Sequence, residues 1–113
     1  MAATFTSTTI QRGVYLATWS SLASGEIGSP QSGPKNTDRS VQVDGTFGTG
    51  GSVSIEGSND GTNWFTLTDQ AGVALNFTTA GIRSVLQASV YIRPKVTGGD
   101  GSTNLNVRIL MVE

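Results

Sequence analysis

The sequence predicts an all-β protein: an antiparallel two-sheet β-sandwich, jelly-roll-like, with about eight strands and one long loop. Three observations predict it. Apolar and polar residues alternate with a period of two through most of the 113 residues. Glycine-rich turns recur between the alternating runs. Only residues 80–86 hint at a helix, where Ile82, Val85 and Leu86 fit one or two turns. The length suits one domain over residues 1–113, and a chain of this size buries roughly 60–70% of its unfolded surface.

The first two strands are expected over residues 4–10 and 14–20. Val41, Val43 and Phe47 then share one parity, with Ser40, Gln42 and Asp44 on the other. Val53 and Ile55 alternate with Ser52, Ser54 and Glu56. Phe65 and Leu67 alternate with Trp64 and Thr66, and either Trp64 or Phe65 could face inward. Val73, Leu75 and Phe77 follow, then a strand over residues 88–96. Leu105, Val107, Ile109 and Met111 close the pattern against Asn104, Asn106 and Arg108. Such alternation buries one face of each strand and wets the other. Turns fall at Gly48-Thr49-Gly50-Gly51, Asn59-Asp60-Gly61-Thr62 and Gly98-Gly99-Asp100-Gly101. Asp60-Gly61 is a favoured hairpin pair because glycine accepts positive φ.

Residues 21–37 depart from the pattern. They hold two of the three prolines and have no sustained periodicity. Long loops inside small domains are uncommon. Two readings stand: an arm that orders against a neighbouring subunit, or a plain surface insertion. The last strand departs differently, since Leu110-Met111-Val112 is apolar on both faces. It either runs centrally under a second layer or turns its outer face to another chain.

The chain has no histidine and no cysteine. That removes the Ser-His-Asp triad, the Cys-His pair and the His/Cys zinc cluster, and no disulfide framework can form. The eight acids fall mostly in turns and on polar strand faces, so paired-carboxylate chemistry is disfavoured and no enzyme is expected. Asn59, Asp60 and Asn63 with Asp100 offer oxygen ligands, but too few carboxylates for calcium; hydrogen bonding within the turn is the expected role. No cofactor or metal is expected. Lys+Arg 7 against Asp+Glu 8, with no basic run, argues against nucleic acid. Arg39, Arg83, Arg93, Lys95 and Arg108 are scattered and read as solvated charges. No window approaches the ~20 apolar residues of a membrane span, and Met1-Ala2-Ala3-Thr4-Phe5-Thr6 lacks the basic and apolar regions of a signal peptide. Synthesis in the cytoplasm without export is expected.

The stretches Val41-Gln42-Val43-Asp44-Gly45-Thr46-Phe47 and Ser52-Val53-Ser54-Ile55-Glu56-Gly57-Ser58-Asn59-Asp60-Gly61-Thr62-Asn63-Trp64 resemble small virion proteins of tailed bacteriophages. Tyr91-Ile92-Arg93-Pro94-Lys95-Val96-Thr97-Gly98-Gly99-Asp100-Gly101 continues the likeness, which covers about the C-terminal two thirds and leaves the part up to Thr37 outside it. The chain is similar to head decoration or cement proteins. That resemblance implies a module on the outer surface of the phage head, bridging neighbouring capsid subunits, with the major capsid protein and copies of itself as partners. A homo-oligomer, trimer or dimer, suits such a role. A tail, baseplate or head-tail connector part shares every one of these features. Gly-Ser-Asn-Asp-Gly-Thr-Asn-Trp also looks like the hairpin of discoidin-type carbohydrate-binding sandwiches, although this chain is shorter and lacks the cysteines many of them carry. Residues expected at partner contacts are Phe5 on the first strand, Trp19 as an aromatic anchor, Ile27, Pro30 and Pro34 in the 21–37 segment, and Leu110 and Val112 on the last strand.

Overall fold

Twelve strands and no helix make up the described part of the computed structural model, which covers residues 2–32 and 38–112. They are β1 (Ala2–Ala3), β2 (Thr6–Gln11), β3 (Val14–Leu22), β4 (Ile27–Gly28), β5 (Gln31–Ser32), β6 (Asp38–Thr46), β7 (Ser52–Ser58), β8 (Phe65–Thr66), β9 (Asn76–Phe77), β10 (Gly81–Val85), β11 (Tyr91–Thr97) and β12 (Asn104–Val112). One sheet has the order β10-β6-β12-β3-β2. The other is built on the β11–β7 pair, with β4 and β5 along β11, β8 and β9 along β7, and β1 outside β4. All these pairs are antiparallel except β1 with β4. This is the antiparallel two-sheet sandwich that the alternation predicts.

The parity of the sequence becomes the core. Val41 and Val43 of β6 and Leu105, Val107, Ile109 and Met111 of β12 are buried from one sheet. Val53 and Ile55 of β7 and Ile92 and Val96 of β11 meet them from the other. β12 is central in its sheet, paired with β6 and β3. Its outer residues Leu110 and Val112 are half-buried, with no second layer over them among the described residues. Between Leu105 and Val107 the β12–β3 register slips. Ser21 takes φ 57° there, a left-handed conformation rare outside glycine, and its N–H donates to Asn106 Oδ1 at 3.2 Å. The bulge turns Leu22 inward after Trp19.

Two expectations change. Residues 80–86 form strand β10, paired with β6 from Gly81↔Val43 to Val85↔Arg39. A short run with apolar residues three and four apart fits either period, and the open edge of β6 decides for strand. Residues 21–32, within the segment expected as a long loop, carry two short strands. β4 and β5 within them pair with β11, and Ser24 Oγ donates to the Gly98 carbonyl at 2.7 Å. Residues 33–37, with Pro34, lie outside the described residues.

Trp19 explains why this segment docks. It projects from β3 into the core, fully buried, and its indole N–H donates to the Ser29 carbonyl at 3.0 Å. Gly28 lets the backbone of β4 lie against it: a Cβ there would sit 2.7 Å from Pro94 Cγ and Cδ and 2.7 Å from Trp19 Cδ1. Overpacking of this kind costs about 1–3 kcal/mol. Gly28→Ala is therefore expected to lower unfolding free energy by about that amount in urea denaturation. Gly101→Ala, with open space around its Cβ, should stay within about 0.5 kcal/mol of the parent. Equal effects of the two substitutions would contradict the packing described here.

Candidate functional site

A cleft of about 420 Å³ opens where the β7–β8 hairpin meets residues 87–89. Asn59, Asp60, Asn63 and Gln87 line it, with Phe65 at its side. Phe65 is 70% exposed, so it supplies an aromatic surface. The polar groups, however, are engaged within the protein. Asp60 Oδ1 accepts from Ser58 Oγ and from the N–H groups of Thr62 and Asn63, each at 2.9 Å. Asp60 Oδ2 accepts from Asn63 Nδ2 at 2.8 Å. These bonds hold the carboxylate far below the ordinary range, the Asn63 and Thr62 backbone N–H groups contributing most. Asn59 Oδ1 accepts from Val90 N–H. Gln87 bonds Thr68 twice, its Oε1 taking the backbone N–H and its Nε2 donating to the hydroxyl. The cleft is thus lined by groups that hold the loops together.

The opposite loops are tied in the same way. Asp100 Oδ1 accepts from the hydroxyl and N–H of Ser102 at 2.6 and 2.8 Å, and Oδ2 accepts from Thr49 N–H at 2.9 Å. Its proton affinity is strongly lowered, first by the Ser102 hydroxyl. Thr103 Oγ1 donates to the Phe47 carbonyl. The turn acids therefore act as turn hydrogen-bond acceptors. No group of three or more acidic side chains that could hold a metal occurs among the described residues.

Four of the five cations read as solvated charges are engaged instead. Arg39 is 5% exposed and donates to Ser89 O at 2.7 Å and Ser89 Oγ at 3.2 Å. Burial lowers its proton affinity. Arg83 pairs with Asp69 at 2.7 Å and Arg108 with Asp44 at 2.8 Å. Arg93 pairs with Glu56 at 3.0 Å and lies 3.9 Å from the centroid of the half-buried Trp64 ring. That stacking is a cation–π contact, and it occupies a face of Trp64 that a sugar ring would need. The period-two pattern could not show these pairings, because each joins residues distant in sequence.

The residues expected at partner contacts fall in separate places. Trp19 is inside and unavailable to a partner, for the packing reason given above. Phe5 is half-buried against it, ring centroids 5.4 Å apart. Ile27 is half-buried on β4 and Pro30 is exposed beside it. Leu110 and Val112 lie on the outer face of the five-stranded sheet. There Leu110, Leu16 and Ile82 line a shallow hollow of about 200 Å³ with Ser40, Gln42 and Arg108. Ile82 is 65% exposed.

Beside this face runs β2, a strand the sequence predicts but whose place at the sheet edge it does not reveal. It pairs with β3 on one side, and no strand lies on the other among the described residues. Thr6 to Ile10 are all exposed, with Ile10 at 57%. Thr6–Gln11 contains no charged residue, proline or glycine. Proteins guard such edges with charge, proline, a bulge or a covering loop; along β2 the only such device among the described residues is a register slip at its end, between Thr9 and Gln11. The other edge of the same sheet is guarded: Arg83 of β10 pairs with Asp69 and donates to the carbonyls of Val73 and Ala74, and Leu86 N–H donates to Thr68 O.

Asp44, Asp60, Asp69 and Asp100 all bind protons less readily folded than unfolded. The stability they contribute is complete above the ordinary carboxylate pKa of about 4 and is lost as pH falls through their lower folded values. With no histidine, no such loss is expected between pH 7 and about 5. Urea midpoints should be level over that interval and decline below about pH 4; a decline between pH 7 and 5.5 would contradict the assignment.

No family model matches the sequence, and no curated protein matches it. Among solved structures, the crystal structure of the SPBc2 prophage-derived protein YomS is similar. The match has a TM-score of 0.68 and covers 94% of this chain and 100% of that one, at 10% identity. Likeness at that identity establishes a shared fold and leaves function to the surfaces.

Proposed function

We propose that this protein is a structural component of a tailed-phage particle, a decoration or cement module that sits on the head and bridges neighbouring capsid subunits. The observation that carries the proposal is the pairing of an open, uncharged strand edge, β2, with a partly apolar outer sheet face bearing Leu16, Ile82 and Leu110. Both are surfaces that gain by being covered. The polar side chains of the hairpin cleft already have partners inside the protein, which favours a body held between neighbours over one that captures a small molecule. The fold is shared with a prophage-derived protein, and the hairpin sequence resembles small virion proteins; both support a phage setting. A rigid sandwich loses little freedom on docking, and a particle multiplies modest contacts by repetition.

Phe65 beside the hairpin cleft is the one observation that favours a second role, glycan binding at the particle surface. A glycan array read by direct binding, repeated with Phe65→Ala, separates the two, since a sugar seated there would touch Phe65.

Imaging of fluorescently tagged protein on purified particles tests the principal proposal. Signal distributed over the head is expected. Signal confined to the tail would replace the decoration role with a tail or connector role, and absence from purified particles would overturn the structural assignment altogether.

A further inference from the structure

We infer that β2 is a self-association edge: two copies of this chain pair their β2 strands antiparallel about a two-fold axis, joining two five-stranded sheets into one. The inference goes beyond the capsid assignment and does not rest on it. A dimer could exist in a protein that never meets a head, and a monomer could still decorate one.

The backbone supplies the attraction. The regular part of β2, Thr6 to Thr9, about 13 Å of extended chain, presents unpaired N–H and C=O groups along one side before the register with β3 slips between Thr9 and Gln11. A strand added there completes those bonds. The side chains favour an identical strand as the addition. In a two-fold antiparallel pair each residue opposes one of its own strand, so a charge near the axis would be brought close to its like. Thr6–Gln11 carries none. Its threonines and serine can instead form cross-strand hydroxyl and methyl contacts, which are favourable between neighbouring strands, and threonine suits a pleated surface. A strand selecting a different chain would gain discrimination from charge or from pockets for large side chains; β2 offers neither. The chain as a whole has net charge −1, so two copies barely repel.

The side chains also have room. Thr6 and Thr8 stand opposite Thr18 and Leu16 on the outer face, while Ser7 and Thr9 lie on the other face, and all four are exposed. A copy approaching in the plane of the sheet therefore meets no covering element among the described residues. The rival edge, β10, is excluded by the Arg83–Asp69 pair and the segment it anchors.

The test uses the full chain. Sedimentation equilibrium over a concentration series should show the wild type passing from monomer to twice the monomer mass. Thr6→Lys with Thr8→Lys should weaken that association at least tenfold while circular dichroism and the urea midpoint stay near the parent, since both positions are exposed. The absence of cysteine allows a second measurement that does not depend on the lysine variant. Single cysteines placed in turn at residues 6 to 10 and oxidised should cross-link copies strongly at one position, the residue that opposes itself across the axis. Its Cα separation of about 4.5–5.5 Å in either pair type suits a disulfide, and its neighbours would be displaced along the strand. A wild type that remains monomeric at about 1 mM, a dimer indifferent to the lysines, a trimer, or equal cross-linking at every position would each overturn the inference.

Discussion

The structure depends on the contact that Trp19 makes across the sandwich. Its strand belongs to the five-stranded sheet, yet its indole lies against Gly28 and donates to the Ser29 carbonyl, beside Pro94 of the other sheet. Loss of a buried tryptophan side chain typically costs about 3–5 kcal/mol, a large share of a small domain's stability. One side chain thus closes the core and fixes residues 24–32 along β11. Where the irregular segment would otherwise wander, it becomes the flank of a sheet.

That closure has a consequence for function. With Trp19 inside, with Arg93 over Trp64, and with Asp60, Asp100 and Gln87 bonded into loops, the groups that most often recognise ligands serve the body itself. Arg39 shows the same economy, reaching from β6 to Ser89 to tie the end of one sheet to the loop leading into the other. The surfaces left over are those of the sheets: the edge of β2, and the outer face with Leu16, Ile82 and Leu110. Their chemistry is that of docking and strand addition. The proposed role between neighbours rests on these remaining surfaces, since the interior has taken up most of the other polar and aromatic groups.

Much of this was legible in the sequence, and the limits have physical causes. The alternation in Val41–Val43, Val53–Ile55 and Leu105–Met111 identified core faces correctly because each strand has one wet side. Phe65 and Val73 broke the rule; they lie where short strand and turn segments run past the sheet's edge, and both are exposed. Residues 80–86 were ambiguous because seven residues cannot distinguish a period of two from one near four, and a partner strand distant in sequence settled the matter. Trp19 was misplaced as a surface anchor since its partners, Gly28 and Pro94, are identified only by the fold. The strand over residues 4–10 was expected, but its place at the sheet edge was not legible, because which strand ends a sheet is set by pairings distant in sequence.

Backbone hydrogen exchange along Thr6–Gln11, compared between the dilute free protein and the same protein within an assembled particle, tests the central claim most directly. Outward-facing amides of an open edge exchange readily, and covering them slows exchange. Slow exchange of those amides only in the assembled form is the predicted result. Equal exchange in both states, with protection appearing instead around the Asn59–Asn63 hairpin, would contradict the account.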